Sequence, residues 1–266
     1  MANSRGDNRI ICRQMSARKK NKSGVNVATV IILAAFLAVG MVMLLVRLRS
    51  EITPLELSRE EYPVTGIDLS AHNGDIDFSL LVADSIDFVI LKATEGATFK
   101  DPKFNANYHA ARKAGIANIG VYHFFKFGTD GKMQGINLLN SLVGKTLELP
   151  LVIDLEEWTN PREMATDSVV VRLQDMIDYL ESNGHAVMLY TNKDGYERFV
   201  RERFTDYPLW ICSFTRPPLP EDADTEWSLW QYSHWGWVSA ADTSVDLNTF
   251  NGTREQWRQW LRSVDF

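Results

Sequence analysis

The sequence predicts an α/β fold, namely a distorted TIM-like (β/α) barrel with eight strands and fewer helices, preceded by one transmembrane helix. Short runs of β-branched and aromatic residues alternate with stretches of helical periodicity, a pattern typical of a barrel with parallel strands. An uncharged apolar run near the N-terminus is long enough to cross a bilayer. Because 45% of the 266 residues are hydrophobic, the chain also has enough apolar side chains for a large core.

The apolar run covers residues 25–46, and its only polar interruptions are Asn26 and Thr29. A helix rises about 1.5 Å per residue, so this run spans a hydrocarbon core. A cleavable signal peptide is the alternative, but the weak site at 38–40 is followed by further apolar residues, which favours an uncleaved anchor. Basic residues crowd segment 1–24 and keep it cytoplasmic. We therefore expect a single-pass membrane protein whose remaining chain lies on the exported side, periplasmic or extracellular.

Residues 47–63 are charged and interrupted by two prolines, which predicts a linker. The chain after residue 50 has a large excess of acids, and such a charge repels phosphate backbones, so we expect no nucleic-acid partner. Cys12 and Cys212 each lack a neighbouring Cys or paired His, so no metal site is predicted from them. We expect no cofactor and no obligate protein partner.

Eight segments of strand length follow the linker, and helical patterns fit five other stretches. The predicted strands are 64–70, 86–94, 118–125, 151–156, 186–191, 207–213, 227–233 and 244–248. The predicted helices are 101–115, 132–143, 167–184, 192–203 and a last one that opens with a capping box at Thr253. Because the stretches between the last three strands are short or rich in proline, the barrel loses helices toward its C-terminal end.

Acidic side chains recur at the ends of the predicted strands. They are Asp68, Glu95, Asp154, Glu156 and Asp246. The C-terminal ends of the strands form the face of a (β/α) barrel that carries its chemistry. One such acid alone more often caps a helix or bonds a loop, but five of them from four strands predict an acidic site on one rim.

Asp154 and Glu156 stand at positions i and i+2 of a strand, so their side chains point to the same side. Burial of two like charges is unfavourable, and one of the pair should keep its proton near neutral pH while the other ionises. This division suits cleavage of a glycosidic bond. A surface ladder is disfavoured by the apolar run 151–153, and a metal site usually adds His ligands, for which His72 and His123 are the plausible residues.

Aromatic residues lie near the same strand ends. They are Tyr122, Tyr190, Trp210, Trp230 and Tyr232. Flat rings pack against the C–H faces of sugars, although for each ring a place in the core is an equal alternative. We expect the first four, together with Glu95, to bind substrate. Trp257 and Trp260 of the last predicted helix are expected in the core.

Eight motifs in order resemble the family 25 glycoside hydrolases, lysozymes that cleave the β-1,4 bond after N-acetylmuramic acid in peptidoglycan. The motifs are GIDLSAHNGDIDF (66–78), ILKATEG (90–96), GVYHFF (120–125), VIDLEEW (152–158), LYT (189–191), LWICSF (209–214), LWQYS (229–233) and VDLNTFNG (245–252). The resemblance covers about residues 64–262 and implies a distorted barrel with fewer helices than strands. It departs at Asn73, where many members carry Gln, and at Phe78, where many carry Trp.

The resemblance also implies roles for individual residues. Glu156 matches the proton donor of the family, and Asp154 matches the acid that assists, either by orienting the N-acetyl group of the substrate or by stabilising the oxocarbenium ion. Asp68 and Asp246 match two further acids of the rim. The tyrosines of the third and fifth motifs, Tyr122 and Tyr190, match tyrosines on the sugar side. Residues 64–266 would then form a glycoside hydrolase domain.

Two other interpretations stay open. A non-catalytic peptidoglycan-binding protein would use the same scaffold, although the complete set of acids favours an enzyme. A metal-dependent hydrolase would use the acids with His72 or His123, although the sequence has no ligand pattern for it. The favoured interpretation is a membrane-tethered muramidase that acts on the glycan strands of peptidoglycan and needs no metal or cofactor.

Overall fold

The structure, a computed structural model, describes residues 26–52 and 55–264. It divides into two compact units at residues 53–54. The described part of the first unit contains helix α1 (Val27–Ile52), whose side chains are described at residues 30–43 and are exposed there. The second unit contains all the strands and the remaining helices, and it holds the residues that the sequence analysis selects.

The predicted N-terminal segments lie only partly within the described residues. The basic tail 1–24 lies outside them, and so do the side chains at 27–29 and 44–46 of the predicted membrane span 25–46. Among the described residues, no helix is both long enough and apolar enough to cross a membrane. The prediction of a transmembrane helix is therefore not supported by the structure.

Eight strands close a barrel in the second unit, which confirms the predicted fold class. They are β1 (Thr65–Leu69), β2 (Phe88–Glu95), β4 (Asn118–Phe124), β5 (Leu151–Asp154), β6 (Val187–Asn192), β7 (Leu209–Cys212), β8 (Trp227–Gly236) and β9 (Val245–Phe250). A short strand, β3 (Phe99–Lys100), pairs only with the end of β2. Neighbours in the barrel follow the chain order, and β9 pairs with β1 to close it.

Strand β9 runs opposite to its two neighbours, whereas the pairs from β1 to β8 are parallel. The beginning of β9 therefore lies on the rim where the other strands end. In this register Asp246, the second residue of β9, is directly opposite Asp68 of β1. Directly opposed residues of an antiparallel pair have Cα atoms about 4.5–5.5 Å apart, so the two acids are close neighbours on one rim.

Six helices follow or join the strands, and several begin or end where the sequence indicates. They are α2 (Phe78–Ala83), α3 (Phe104–Ala114), α4 (Gly131–Leu142), α5 (Thr166–Ser182), α6 (Lys193–Gly195) and α7 (Arg254–Ser263). Gly115 ends α3 with a φ of 88°, a left-handed conformation that favours glycine. Thr253 and Gln256 form the predicted capping box of α7. No helix separates β7 from β8 or β8 from β9 in this fully described stretch.

The helix predicted over 192–203 is only partly present. The chain forms the short α6 and then a π-helical turn, Tyr196–Val200, before it leaves the helical conformation at Arg201. Helix α2 was not predicted, because its six residues are too few to show a helical period. These differences concern short elements outside the barrel wall.

Two layers of apolar side chains form the core of the domain. One lies between the barrel and its helices, and the other fills the barrel. Helix α7 closes the end opposite the acidic rim, since Trp257 packs against Phe88 at 5.3 Å and Phe250 at 5.0 Å between ring centroids. Trp260 stacks on Trp257, as the amphipathic pattern of this helix predicts.

The described end of the predicted linker, residues 55–63, packs on the outer face of the barrel. The Tyr62 ring lies 6.1 Å from that of Trp227 and 5.9 Å from that of Trp230. The side chain of Arg254 donates a hydrogen bond to the carbonyl oxygen of Pro63 at 2.8 Å. This segment covers strand residues that no helix covers, and we call it the strap (residues 55–63).

Candidate active site

A cleft of about 470 Å³ opens at the rim where strands β1 to β8 end. Its lining residues are Asp68, His72, Lys92, Glu95, Tyr122, Phe124, Asp154, Glu156, Trp158, Thr159, Tyr190, Trp210, Gln231, His234 and Asp246. All five acids that the sequence analysis selects therefore share one cleft. The charged side chains that line a larger hollow between α2 and α3 are all exposed. The convergence of buried polar groups identifies the rim cleft as the candidate active site.

The end of β5 places Asp154 and Glu156 in this cleft. Leu155, between them, is fully buried in the outer core, so the alternation of an extended chain directs its two neighbours inward. The Leu155 amide donates to the carbonyl oxygen of Tyr190 at 2.8 Å, and the Phe125 amide donates to that of Asp154 at 2.9 Å. Hydrogen bonds to both neighbouring strands thus hold the acidic pair in place.

Two polar side chains hold the backbone just beyond β5. The Thr191 hydroxyl donates to the carbonyl oxygen of Leu155 at 2.7 Å. The Asn160 amide donates to the carbonyl oxygens of Glu156 and Phe125, both at 2.8 Å. Asn160 was not selected from the sequence, because a single Asn after a strand gives no signal that separates it from other loop residues.

Asp68 lies at the centre of a hydrogen-bonded network of amide side chains. Its Oδ2 accepts from Gln231 Nε2 and from Asn248 Nδ2, both at 2.8 Å. Trp210 Nε1 donates to Asn248 Oδ1 at 2.8 Å, and the Tyr190 hydroxyl donates to Gln231 Oε1 at 2.8 Å. Since an indole N–H only donates, it fixes the orientation of the Asn248 amide and turns its NH₂ toward Asp68. The network therefore fixes which oxygen of Asp68 accepts hydrogen bonds.

The environment of Asp68 favours its protonated form. Burial, followed by the charge of Asp246, raises its pKa to about 8, although the bonds from Asn248 and Gln231 act in the opposite direction. Asp68 therefore keeps a proton near neutral pH. Because Oδ2 accepts two N–H groups, the proton resides on Oδ1.

The paired acids of β5 also hold their protons more tightly than free carboxylic acids. Burial and then the neighbouring Glu156 raise the pKa of Asp154 well above its usual range. Burial, with a smaller effect of Asp246, raises the pKa of Glu156, and His234 opposes the shift. Asp154 Oδ1 is buried and has no hydrogen-bond partner within residues 26–52 and 55–264. The pair thus retains a proton for transfer and one oxygen that is free to accept.

His234 lines the cleft although the sequence analysis did not select it. Its Nδ1 lies 2.8 Å from Asp246 Oδ1, and the edge of its ring meets Phe214 at 4.6 Å between centroids. Burial lowers the pKa of His234. The hydrogen bond and the charge of Asp246 raise it, and the net shift is upward. The only signal in the sequence is its position directly after the motif LWQYS.

The two histidines that the sequence analysis selects have different places. His72 lines the cleft and is exposed. His123 is fully buried outside the cleft lining, where its ring nitrogens meet Thr94 Oγ1 at 2.7 Å and Gln134 Oε1 at 3.1 Å. Burial lowers the pKa of His123 to about 4, so it is a neutral structural residue. In the described part of the chain, no three His, Cys, Asp or Glu side chains are grouped to hold a metal ion.

Three of the four selected aromatic residues lie in the cleft. Tyr122, Tyr190 and Trp210 line it, and the Tyr190 and Trp210 rings are 4.4 Å apart. Trp158, two residues after Glu156, also lines it and is 86% exposed, so that its ring is accessible to a ligand. The cleft thus has polar groups at its base and an open aromatic ring at its edge.

Trp230, the fourth aromatic residue predicted to bind substrate, lies outside the cleft lining. Its ring is fully buried in the outer core next to Tyr62, and its indole N–H donates to the carbonyl oxygen of Ser213 at 2.7 Å. The reason is the alternation along β8. Gln231 faces the cleft, so the preceding Trp230 faces outward.

Glu95 lies in the cleft as an ion-paired residue. Its carboxylate accepts from Lys92 Nζ at 2.8 Å and from Lys126 Nζ at 2.9 Å. Burial would raise its pKa, but these two lysines lower it below the usual value. Glu95 is therefore ionised, and it holds two cationic side chains on the side of the cleft formed by β2.

A closed barrel that holds, at one rim, paired carboxyl groups with raised pKa values and an exposed aromatic ring is the arrangement of a glycoside hydrolase. Residues 67–240 match the sequence profile described as "Glycosyl hydrolases family 25", and the chain belongs to that family. It is a glycoside hydrolase of the lysozyme, or muramidase, type, as the motifs predict.

Individual relatives agree with this assignment. The chain is 30% identical to "Lysozyme M1" of Streptomyces globisporus over 205 residues, which cover 71% of this chain and 68% of that protein. A family 25 glycosyl hydrolase from Bacillus anthracis superposes with a TM-score of 0.70 at 29% identity over 77% of this chain and 96% of that one. A lysozyme from Streptomyces coelicolor superposes with a TM-score of 0.66 at 27% identity over 76% and 98% of the two chains.

Proposed function

We propose that the chain hydrolyses the β-1,4 bond between N-acetylmuramic acid and N-acetylglucosamine in peptidoglycan, with Glu156 as proton donor and Asp154 as the assisting acid. The observation that carries the assignment of these residues is the placement of both carboxyl groups in one cleft, each with a raised pKa. The glycosidic bond would lie across this pair.

Glu156 fits the donor because it is the more accessible of the two acids. It lines the cleft and is half-buried, whereas Asp154 is buried. A general acid must keep its proton at the working pH and release it to the leaving oxygen. Burial of Glu156 raises its pKa and so favours retention of the proton. Because Glu156 lies at the open end of the pair, it can reach the leaving oxygen.

Asp154 fits a role at the sugar ring. Its Oδ1 is buried and has no partner among the described residues, so a donor group of the substrate can occupy that oxygen. The N–H of an N-acetyl group is one such donor. A hydrogen bond to Asp154 would orient the N-acetyl group so that its acetyl oxygen can take part in the reaction. A direct interaction with the oxocarbenium ion is the other role open to this carboxyl group.

The other cleft residues fit the binding of the glycan. Protonated Asp68 has an O–H on Oδ1 to donate to a sugar oxygen, and Asp246 accepts a hydrogen bond beside it. Tyr122, Tyr190 and Trp210 form the aromatic base on which sugar C–H groups pack.

The test is turnover of purified peptidoglycan by the full chain and by two variants. We expect Glu156→Gln to lower kcat by about 10²- to 10⁴-fold with little change in binding, because it removes only the transferable proton. Glu157→Gln is the matched control, since the adjacent Glu157 is paired with Arg162 and Arg198 and lies outside the cleft lining. It should retain most of the activity.

The products decide between the favoured and the alternative function. A muramidase releases fragments whose reducing end is N-acetylmuramic acid, which mass analysis after reduction identifies. If the wild type binds peptidoglycan but releases no such ends while a control lysozyme does, the chain is a non-catalytic binding protein. Loss of activity in a chelator would instead support a metal-dependent hydrolase.

We also propose that residues 25–46 anchor the chain in a membrane, with 1–24 in the cytoplasm, 47–63 as the connecting segment and 64–266 on the periplasmic or extracellular side. This proposal rests on the sequence, where an uncharged run follows a basic segment. An anchored chain stays with membranes after an alkaline wash and loses its domain to external protease in intact cells. Recovery in the supernatant would contradict the proposal.

A further inference from the structure

We propose that His234 is a positioning residue that offsets the charge of Asp246 and thereby sets the pH up to which Glu156 keeps its proton. The inference rests on the proposed function, because it assigns Glu156 as the proton donor. It adds a residue from β8 to a reaction otherwise assigned to acids of β1, β5 and β9.

An irregularity between β8 and β9 directs His234 into the cleft. Gln231 pairs with Asn248 and Ser233 pairs with Leu247, so β8 contains one extra residue before His234. A second extra residue follows before Gly236, which pairs with Val245. Such a bulge changes the direction of the side chain that it contains. His234 lies within the bulge and lines the cleft, whereas regular alternation after Gln231 would turn it outward.

The position of the imidazole ring is defined on several sides. Nδ1 lies 2.8 Å from Asp246 Oδ1, and Nε2 lies 3.9 Å from Cys212 Sγ. The edge-on contact with Phe214 restricts rotation of the ring. Because Asp246 is also directly opposite Asp68 in the register, a charge on His234 acts on the acids of two neighbouring strands.

The groups that act on these residues come from six strands or from just beyond them. Those that face His234 are Asp246 of β9, Asp68 of β1, Cys212 of β7 and Glu156 just beyond β5. Those that face Glu156 are Asp154 of β5, Tyr190 of β6, Cys212 of β7, His234 of β8 and Asp246 of β9. His234 is the one member of this set whose protonated form carries a positive charge, and the others are either neutral or negative.

The direction of the effect follows from these charges. The charge of Asp246 favours the protonated form of Glu156, and protonated His234 opposes it. If His234 loses its charge, Asp246 acts alone and Glu156 keeps its proton to a higher pH. If Asp246 loses its charge, His234 also loses the partner that raises its pKa, so the negative and the positive charge are weakened together. Neutralisation of His234 should therefore shift the proton release of Glu156 upward, and neutralisation of Asp246 should shift it less.

The test is the pH dependence of kcat/KM for peptidoglycan hydrolysis by the full chain. We expect His234→Gln to shift the alkaline limb upward by about half to one pH unit, and Asp246→Asn to shift it by less, because His234 then loses the partner that raises its pKa. His234→Lys keeps a cation, so its limb should lie close to that of the wild type. The matched control is His109→Gln, at an exposed position of α3, which should leave the limb unchanged.

A purely structural role of His234 predicts a different result. Activity would then fall at every pH while the limb stayed in place, and that outcome, or a downward shift in His234→Gln, overturns the inference. An NMR titration of the Glu156 carboxyl group in the same variants gives the shift without turnover. If the wild type cleaves nothing, the proposed function fails, but the titration still tests the coupling of His234 to Glu156.

Discussion

Asp68 illustrates how single side chains set the chemistry of the cleft. Two amide groups donate to the same oxygen, and two aromatic donors fix the orientation of those amides. The carboxyl group is buried and stays protonated, and it presents its proton from the other oxygen. A buried acid of this kind can donate a hydrogen bond to a ligand. Its raised pKa lowers the free energy of unfolding at neutral and alkaline pH.

Replacement of Asp68 by Asn should change how stability depends on pH. The pKa of Asp68 is raised from 3.8 to about 8, so the folded state binds this proton more tightly than the unfolded state, and its contribution is lost as pH rises through that window. The Asp68→Asn variant has no carboxyl group at this position, so it does not lose stability in this way. Its free energy of unfolding relative to wild type should therefore increase with pH, by at most about 1.4 kcal/mol for each pH unit.

Urea unfolding at about pH 5 and about pH 8 measures this difference. Asp175→Asn is the control, because Asp175 is exposed on α5 and the same chemical change there should leave the pH dependence unaltered. If Asp68→Asn and the wild type lose stability equally between the two pH values, then Asp68 is ionised in the folded protein.

Sequence reasoning found the acids of the site but not the groups that orient them. Asp154 and Glu156 were predictable because an i, i+2 pair of acids in an apolar strand is rare and has a defined geometry. Asn160 and His234 were not, because their roles depend on a loop and a bulge that leave no periodic signal. Trp230 was assigned to the wrong side of its strand, since an aromatic run does not reveal its inward face.

At the scale of elements, the reversed strand β9 and the strap are the features that distinguish this barrel. Reversal of β9 brings Asp246 to the acidic rim from the beginning of a strand rather than from its end. The strap covers the outer face of β8, which is followed by no helix. The strap therefore takes the place of a helix on this side of the barrel.

The strap should contribute to stability and not to catalysis. We expect Tyr62→Ala to lower the free energy of unfolding by about 1–3 kcal/mol, because it removes a half-buried ring that packs against Trp227 and Trp230. Activity per folded molecule should not change, since Tyr62, Trp227 and Trp230 all lie outside the cleft lining. Glu56→Ala, at an exposed residue of the strap, is the control for urea unfolding. Equal stability of the two variants would show that the strap contributes nothing.

Elements with strong local signals were predictable, and those fixed by tertiary contacts were not. All eight barrel strands and the ends of α3 and α7 follow from apolar runs, a glycine and a capping box. The direction of β9 depends on how the chain closes the barrel, which no local pattern records. The π-helical turn at Tyr196–Val200 likewise looks helical in sequence.

At the scale of the whole domain, packing and chemistry occupy opposite ends of the barrel. Helix α7 closes one end with Trp257 packed between Phe88 and Phe250. The other end holds the carboxyl groups with raised pKa values, and Tyr190 and Trp210 of the inner core lie beneath them. The apolar packing inside and around the barrel therefore offsets the buried acids of the open end, which disfavour folding at high pH.

The most direct test of the central claim is a crystal structure of the Glu156→Gln variant with a bound peptidoglycan tetrasaccharide. We expect the side chain at position 156 to lie about 3 Å from the oxygen that joins N-acetylmuramic acid to the next sugar. Asp154 should contact the N-acetyl group or the anomeric carbon on the muramic acid side. A glycan whose bridging oxygen lies beside another acid, or outside the cleft, would contradict the assignment.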